Sequence, residues 1–243
     1  MDLALTPLEW LAATAVVFSG TVVQGSIGFG VALLSAPLLY LVNPMLVPAP
    51  MIVVGMSVPT LVFLRERRHV DAREILRVLP GIATGVAAAA VVLTWVSSGT
   101  LELLFGVLVL AAVALSVGMR PPARPGWGTL FIAGGMAGFM STTTSIGGPP
   151  LALVFQNRSG GHLRGTLSAC FVPIGLLSLV ALYATGHLGT VQVIAGVSLV
   201  PAVALGFWVS ACTARALDHG WLRWAVLAVS AVAGIVAVVR GLA

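Results

Sequence analysis

Residues 141–150 read STTTSIGGPP, a polar stretch rich in glycine and proline that interrupts an apolar part of the chain. Glycine leaves the backbone without side-chain cover, and Pro149 and Pro150 cannot donate backbone hydrogen bonds. Freed backbone groups are costly in lipid, so such a stretch persists there only when it is buried in protein or lines a wet cavity. A second break, QGSIGFG, occupies residues 24–30. The two breaks predict helices that stop and restart inside a membrane.

The composition of the whole chain is that of a membrane protein. Hydrophobic residues make up 59% of the 243 residues and charged residues only 8%, whereas a soluble domain carries about 25% charged residues. So few charges cannot cover a water-facing surface. All 12 basic residues are arginines that lie between apolar runs and form no basic face, which argues against nucleic acid as a partner. The predicted partner of the surface is therefore the lipid bilayer.

Ten apolar runs follow one another along the chain. Several reach the roughly 20 residues that span a hydrocarbon core of about 30 Å, but the runs at 30–42 and 148–157 are short, and each follows a break. We therefore predict two helix–break–helix hairpins that dip into the membrane, at 8–42 and 127–157. Full spans are predicted for the other six runs, at about 45–64, 75–95, 100–118, 166–184, 190–213 and 220–240.

An internal repeat relates the two parts of the sequence. Ser26-Ile27-Gly28 recurs 119 residues later as Ser145-Ile146-Gly147, and the apolar runs keep the same order in both parts. A nearly constant offset indicates duplication. The predicted repeats cover residues 1–122 and 123–243, and together they form one membrane domain.

The arginines predict how the repeats are oriented. Eleven of the 12 lie in one set of alternate loops, and only Arg240 lies in the other. The positive-inside rule places the first set in the cytoplasm. Each half then makes an odd number of passes, so the halves are inverted. The predicted fold class is an all-α integral membrane protein with two inverted-topology repeats, each with a broken, re-entrant-like helical hairpin and three spanning helices, an arrangement typical of secondary transporters.

The two breaks supply the candidate binding groups. No Arg, His, Asp or Glu falls at a predicted midplane position, so the predicted site is uncharged. The N-termini of broken helices offer amides and a positive dipole end, which suits a small oxyanion better than a cation. The predicted substrate-binding residues are Gln24, Gly25, Ser26, Gly28, Gly30, Thr143, Thr144, Ser145, Gly147 and Gly148. No catalytic residue, metal ligand or cofactor is predicted.

Packing is the competing interpretation of small residues in membrane helices, because they let two backbones approach closely. We assign Gly81-xxx-Gly85 and Gly134-xxx-Gly138 to packing and the two breaks to ligand binding. Glu102 is the acid closest to a span. It is either a proton relay or an interfacial side chain that reaches toward water, and the second interpretation is favoured.

Three segments carry a family resemblance: GTVVQGSIGFG at 20–30 followed by Pro37, TSIGGPP at 144–150, and LRGT at 163–166. In these segments the sequence resembles the sulfite exporter TauE/SafE family of membrane permeases. The resemblance implies export or uptake of sulfite, sulfonates or related small anions.

The predicted function is therefore secondary transport of such an anion across a bacterial inner membrane by alternating access, without enzymatic activity. A passive anion channel and a transporter of a non-sulfur organic acid are the alternatives. Protons are the candidate coupling ion, and a homodimer is one of the oligomeric states left open.

Overall fold

The computed structural model describes residues 5–27, 31–96, 98–118, 125–155, 157–158, 160–217 and 220–242, without the side chains of 25–27, 65, 69, 98, 160–161, 211–217 and 220–223. Over these ranges the chain is all helical, with no strand. The α-helices are α1 (Pro7–Ile27), α2 (Val31–Val42), α3 (Ala49–Glu66), α4 (Ala72–Trp95), α5 (Ser98–Gly118), α6 (Trp127–Thr144), α7 (Gly148–Phe155), α8 (Gly160–Ala184), α9 (Thr190–Leu217) and α10 (Gly220–Leu242). The all-α prediction is confirmed.

Five of the described helices are long and apolar enough to cross a membrane. Their apolar spans are 72–95, 99–118, 162–184, 190–210 and 224–242, and they match five of the six predicted full spans. Large apolar side chains such as Val91, Val180 and Leu205 are exposed on their outer faces, where lipid would cover them. The chain is therefore a multi-pass membrane protein.

The sixth predicted span, at 45–64, is shorter than the sequence indicates. A 3-10 turn over Pro44–Leu46 precedes it, and the Asn43 side chain caps that turn by accepting a hydrogen bond from Met45 N–H at 3.0 Å. Helix α3 consequently begins only at Ala49, and its apolar part, Ala49–Leu64, is shorter than the five spans.

Both predicted hairpins are present as helix pairs, α1 with α2 and α6 with α7, but the second break is narrower than predicted. Residues 141–144 belong to α6, and the hydroxyls of Thr142, Thr143 and Thr144 donate to carbonyls of their own helix at 2.7–2.8 Å. Pro149 and Pro150 lie in the first turn of α7, where the missing N–H costs no hydrogen bond. The break is reduced to residues 145–147.

Glycines bring α4 and α6 into backbone contact. A Cβ added to Gly81 or Gly85 would overlap the carbonyl oxygen of a residue in α6, and one added to Gly134 or Gly138 would lie 2.6 Å from a carbonyl oxygen of α4. Real Cβ atoms do not approach that closely, so only glycine fits at these four positions. The assignment of Gly81-xxx-Gly85 and Gly134-xxx-Gly138 to packing is confirmed.

The helix contacts recur when the two halves are exchanged, that is, when each helix is replaced by the one five places along the chain. Helix α1 packs on α9, and its counterpart α6 packs on α4; α2 contacts α10, and α7 contacts α5. The contact of α3 with α9 likewise corresponds to the contact of α8 with α4. Two contacts join a helix to its own counterpart, namely α3 with α8 and α5 with α10. The contacts of α6 with α8, of α5 with α6 and of α2 with α5 are exceptions.

Candidate functional site

A cavity of about 310 Å³ lies where the two halves meet. Most of its lining residues belong to α2, α3, α8 and α9, and the rest belong to the ends of α1 and α6, the second break and the start of α7. Four of the ten predicted binding residues, Gln24, Ser145, Gly147 and Gly148, line this cavity. Gly28 and Gly30 lie outside the described residues, as do the side-chain surroundings of Gly25 and Ser26.

Gln24 is held by the first hairpin. Its side-chain oxygen accepts a hydrogen bond from the backbone N–H of Val31 at 3.1 Å, across the break between α1 and α2. Val31 is the first residue of α2, so Gln24 caps the N-terminus of the second helix of its own hairpin. This hydrogen bond within the first hairpin therefore holds the Gln24 side chain at the cavity.

Ser145 forms the sharp turn at the end of α6. Its backbone is left-handed, with φ 65°, and its N–H donates to Ser141 O at 2.8 Å. Its hydroxyl donates to the carbonyl oxygen of Pro48, immediately before α3, at 2.9 Å. A non-glycine residue in this conformation costs of order 1–3 kcal/mol and persists only where its surroundings hold it, often at functional sites. The bond to Pro48 ties this turn to the first half of the chain.

Thr143 and Thr144, also predicted to bind substrate, do not line the cavity. Thr143 Oγ1 donates to Phe139 O at 2.8 Å. Thr144 Oγ1 donates to Met140 O at 2.7 Å and accepts a hydrogen bond from Ile146 N–H at 3.3 Å. These hydroxyls therefore stabilise the end of α6 and the turn that follows.

Two serines that the sequence analysis missed face the cavity instead. Ser141 and Ser168 are only 7% and 5% exposed, they line the cavity, and neither hydroxyl has a hydrogen-bond partner among the described residues. These two oxygens border the cavity, unlike the hydroxyls of Tyr40 and Thr166, which are buried in the described part of the protein without a partner. These two hydroxyls are available to a ligand.

Backbone amides add to these donors. The hydrogen bonds described for the second break use the N–H groups of Ser145 and Ile146 but leave those of Gly147 and Gly148 without a protein acceptor. Gly148 is also the first residue of α7, so its N–H lies at the positive end of that helix dipole. The second break and the first residue of α7 thus offer two amides, and Gly147 lies close to the Ser141 side chain.

A positive charge also reaches the cavity, which the sequence analysis did not expect. Arg164 lies within α8, and its side chain contributes to the lining one helical turn before Ser168. The helical spacing in the sequence could have indicated this position of Arg164. One face of α8 carries four lining residues at that spacing: Arg164, Ser168, Phe171 and Gly175. The predicted uncharged site therefore has one cation at its edge.

The remainder of the cavity wall is apolar. Met51, Met56 and Val62 of α3 line one side, and Phe171 of α8 and Phe207 of α9 line another. In the described part of the lining no carboxylate is present. The cavity can therefore accept an anion with a non-polar body, with its charged group directed at the serines and glycines.

Comparison with known proteins decides the family. The profile of the sulfite exporter TauE/SafE family matches residues 12–237. The chain belongs to the sulfite exporter TauE/SafE family. A stretch of 97 residues is 32% identical to the probable sulfite/organosulfonate exporter TauE of Cupriavidus necator, covering 37% of this chain and 38% of that relative. This match spans less than half the length of the relative, and no solved structure matches the chain.

In this TauE/SafE protein the three segments that carry the resemblance converge on one place. Gln24 from the first segment, Ser145 and Gly147 from the second, and Arg164 from the third all line the cavity. The segments are far apart in the sequence, so only the packing of the helices brings them together. The cavity is therefore the candidate functional site of the protein.

Proposed function

We propose that this protein is a secondary transporter that moves sulfite or an organosulfonate across the bacterial inner membrane by alternating access. The observation that carries the proposal is a group of donors that line the cavity and have no protein acceptor among the described residues: the hydroxyls of Ser141 and Ser168 and the amides of Gly147 and Gly148. An oxyanion offers several acceptors and no donors, so it complements this group. Neutral donors also bind an anion weakly enough to allow its release.

Alternating access in this proposal rests on two inverted repeats, residues 1–122 and 123–243. Support comes from the helix contacts, most of which recur when the halves are exchanged. Inverted repeats place substrate sites between the halves near the middle of the membrane, where broken helices end. Residues of both halves and of the second break line the cavity, and this lining supports the proposal.

Transport in proteoliposomes tests the function. Purified protein should accumulate ³⁵S-labelled sulfite against its concentration gradient when a pH gradient is imposed, and excess butane-1-sulfonate should compete with it. Uptake that only equilibrates the anion would identify a passive channel. Competition by acetate or lactate but not by sulfonates would identify a transporter of non-sulfur organic acids. Absence of any anion flux would overturn the proposal.

The first prediction concerns orientation. Residues 66–74 and 158–164 lie at the same end of the helix bundle, because Glu74 pairs with Arg158 and with His162, and Glu66 pairs with Arg164. The arginine distribution predicts that this end is cytoplasmic. A cysteine at position 71, in a chain lacking Cys170 and Cys212, should react with an impermeant maleimide only after the cells are opened. Reaction in intact cells would reverse the orientation.

The second prediction concerns coupling. No carboxylate lines the cavity in the part of the chain that the structure describes, and Glu102 lies in α5, away from that lining. We therefore expect any proton to travel together with the substrate or, in the case of sulfite, as its weak-acid form, without a side-chain relay. Glu102→Gln should keep most of the gradient-driven uptake. If this variant equilibrates sulfite but no longer concentrates it, Glu102 is part of the coupling mechanism.

A further inference from the structure

We infer that Arg164 captures the anion at the edge of the cavity, and that Glu66 competes with the anion for the same guanidinium. The inference rests on the proposed function and names one specificity-determining residue and one regulating residue of the same site. Neither residue belongs to the two breaks from which the binding site was predicted.

The position of Arg164 gives it access to both solvent and cavity. Its side chain is 46% exposed, yet it contributes to the cavity lining. Ser168 follows one helical turn further along α8, a rise of about 6 Å. An anion bound at Arg164 is therefore one turn of helix away from the first unpaired hydroxyl of the site.

Glu66, the ion-pair partner of Arg164, can be displaced by an anion at little cost. Arg164 Nη2 lies 3.4 Å from Glu66 Oε1, which is a long contact, and the arginine end of the pair is half in solvent. The Glu66 side chain is only 12% exposed, but it has a further interaction besides Arg164, so the loss of the long contact does not leave it without a partner. The contribution of such a long contact to an exposed arginine is about 0–1 kcal/mol. A sulfite or sulfonate group presents several oxygens to the planar guanidinium and can bind two of its N–H groups at once. Replacement of the Glu66 carboxylate by an oxyanion at Arg164 therefore costs little free energy.

If the Glu66–Arg164 ion pair had a purely structural role, its removal would have different effects. Glu66 and Arg164 join the end of α3 to α8, and the two helices are close there, since a Cβ on Gly165 would lie 3.2 Å from Glu66 O. If the pair only fastens these helices, neutralising either side chain should lower stability and weaken transport alike. Competition predicts opposite effects of the two substitutions on anion affinity.

The test measures binding of sulfite and of butane-1-sulfonate to purified protein by isothermal titration, together with melting curves. Arg164→Gln should weaken binding of both probes about tenfold. Glu66→Gln should strengthen it about two- to fivefold, which is the range expected when a weak competing ion pair is removed. In the Arg164→Gln, Glu66→Gln double variant the gain should vanish. Arg77→Gln and Asp71→Asn, which neutralise exposed residues of the same end, serve as matched controls.

Each other outcome contradicts the inference in a defined way. Weaker binding in both single variants with lower melting temperatures would assign the pair a structural role. A gain from Glu66→Gln that persists without Arg164 would mean that Glu66 repels the anion directly and that Arg164 does not capture it. If the wild-type protein binds neither probe, the proposed function itself fails. If it binds both and Arg164→Gln binds them equally well, only the present inference fails.

Discussion

Valine at position 147 should abolish anion transport, and alanine there should already destabilise the second hairpin. A Cβ on Gly147 would lie 2.8 Å from Ala137 O and 2.9 Å from Ser141 Cβ, so the turn cannot keep its place against α6. Forcing extra methyl groups into a packed site costs about 1–3 kcal/mol, and the branched valine costs more than alanine. Any shift of this turn also moves the amides of Gly147 and Gly148. Uptake of labelled sulfite and melting curves measure the two effects.

The neighbouring glycine supplies the matched control. A Cβ on Gly148 would lie 3.8 Å from the nearest atom, at the ring of Phe171, which is an ordinary contact. Gly148→Ala should therefore fold and melt like the wild-type protein, although it occupies the same turn and keeps its backbone N–H. Equal behaviour of the Gly147→Ala and Gly148→Ala variants would show that close packing of the turn on α6 is not what the site requires.

Removal of the Ser141 or the Ser168 hydroxyl should strongly weaken the binding of sulfite. A hydrogen bond to a charged group contributes about 1.5–3 kcal/mol, so Ser141→Ala and Ser168→Ala should each weaken sulfite binding roughly 10–100-fold. Neither hydroxyl has a protein partner among the described residues, so neither substitution breaks an internal bond. The melting temperature should stay unchanged, because no internal hydrogen bond is lost. Isothermal titration and melting curves check both expectations.

Other hydroxyl substitutions separate binding from stability. Thr144→Ala removes a bond from Thr144 Oγ1 to Met140 O and one from Ile146 N–H, so it should lower stability more than affinity. Ser116 donates within its own helix and lies outside the cavity lining, so Ser116→Ala should leave sulfite affinity unchanged. If Ser141→Ala and Ser168→Ala bind sulfite normally while Thr144→Ala binds it weakly and melts normally, the predicted threonines form the site and the cavity serines do not.

Much of the fold could be predicted because lipid imposes a strong and local constraint. Runs of about 20 apolar residues read directly as spans, and two polar, glycine-rich stretches within apolar sequence read as breaks. The start of α3 could not be predicted from hydrophobicity. It follows a 3-10 turn that the Asn43 side chain caps. The width of the second break likewise depends on hydroxyls that bond back to α6, a choice that composition does not reveal.

The sequence by itself determined that this protein lies in a membrane, that its helices break at two places, and that it resembles the TauE/SafE family. These properties follow from hydrophobicity, from glycine and proline, and from short motifs, all of which act over neighbouring residues. Only the tertiary structure decided which hydroxyls are available to a ligand. The threonines at 142–144 form hydrogen bonds within the protein, whereas neither Ser141 nor Ser168 has a partner among the described residues, and both line the cavity, as Arg164 does. Whether a donor is free depends on every helix that packs around it, and that packing joins residues far apart in the chain.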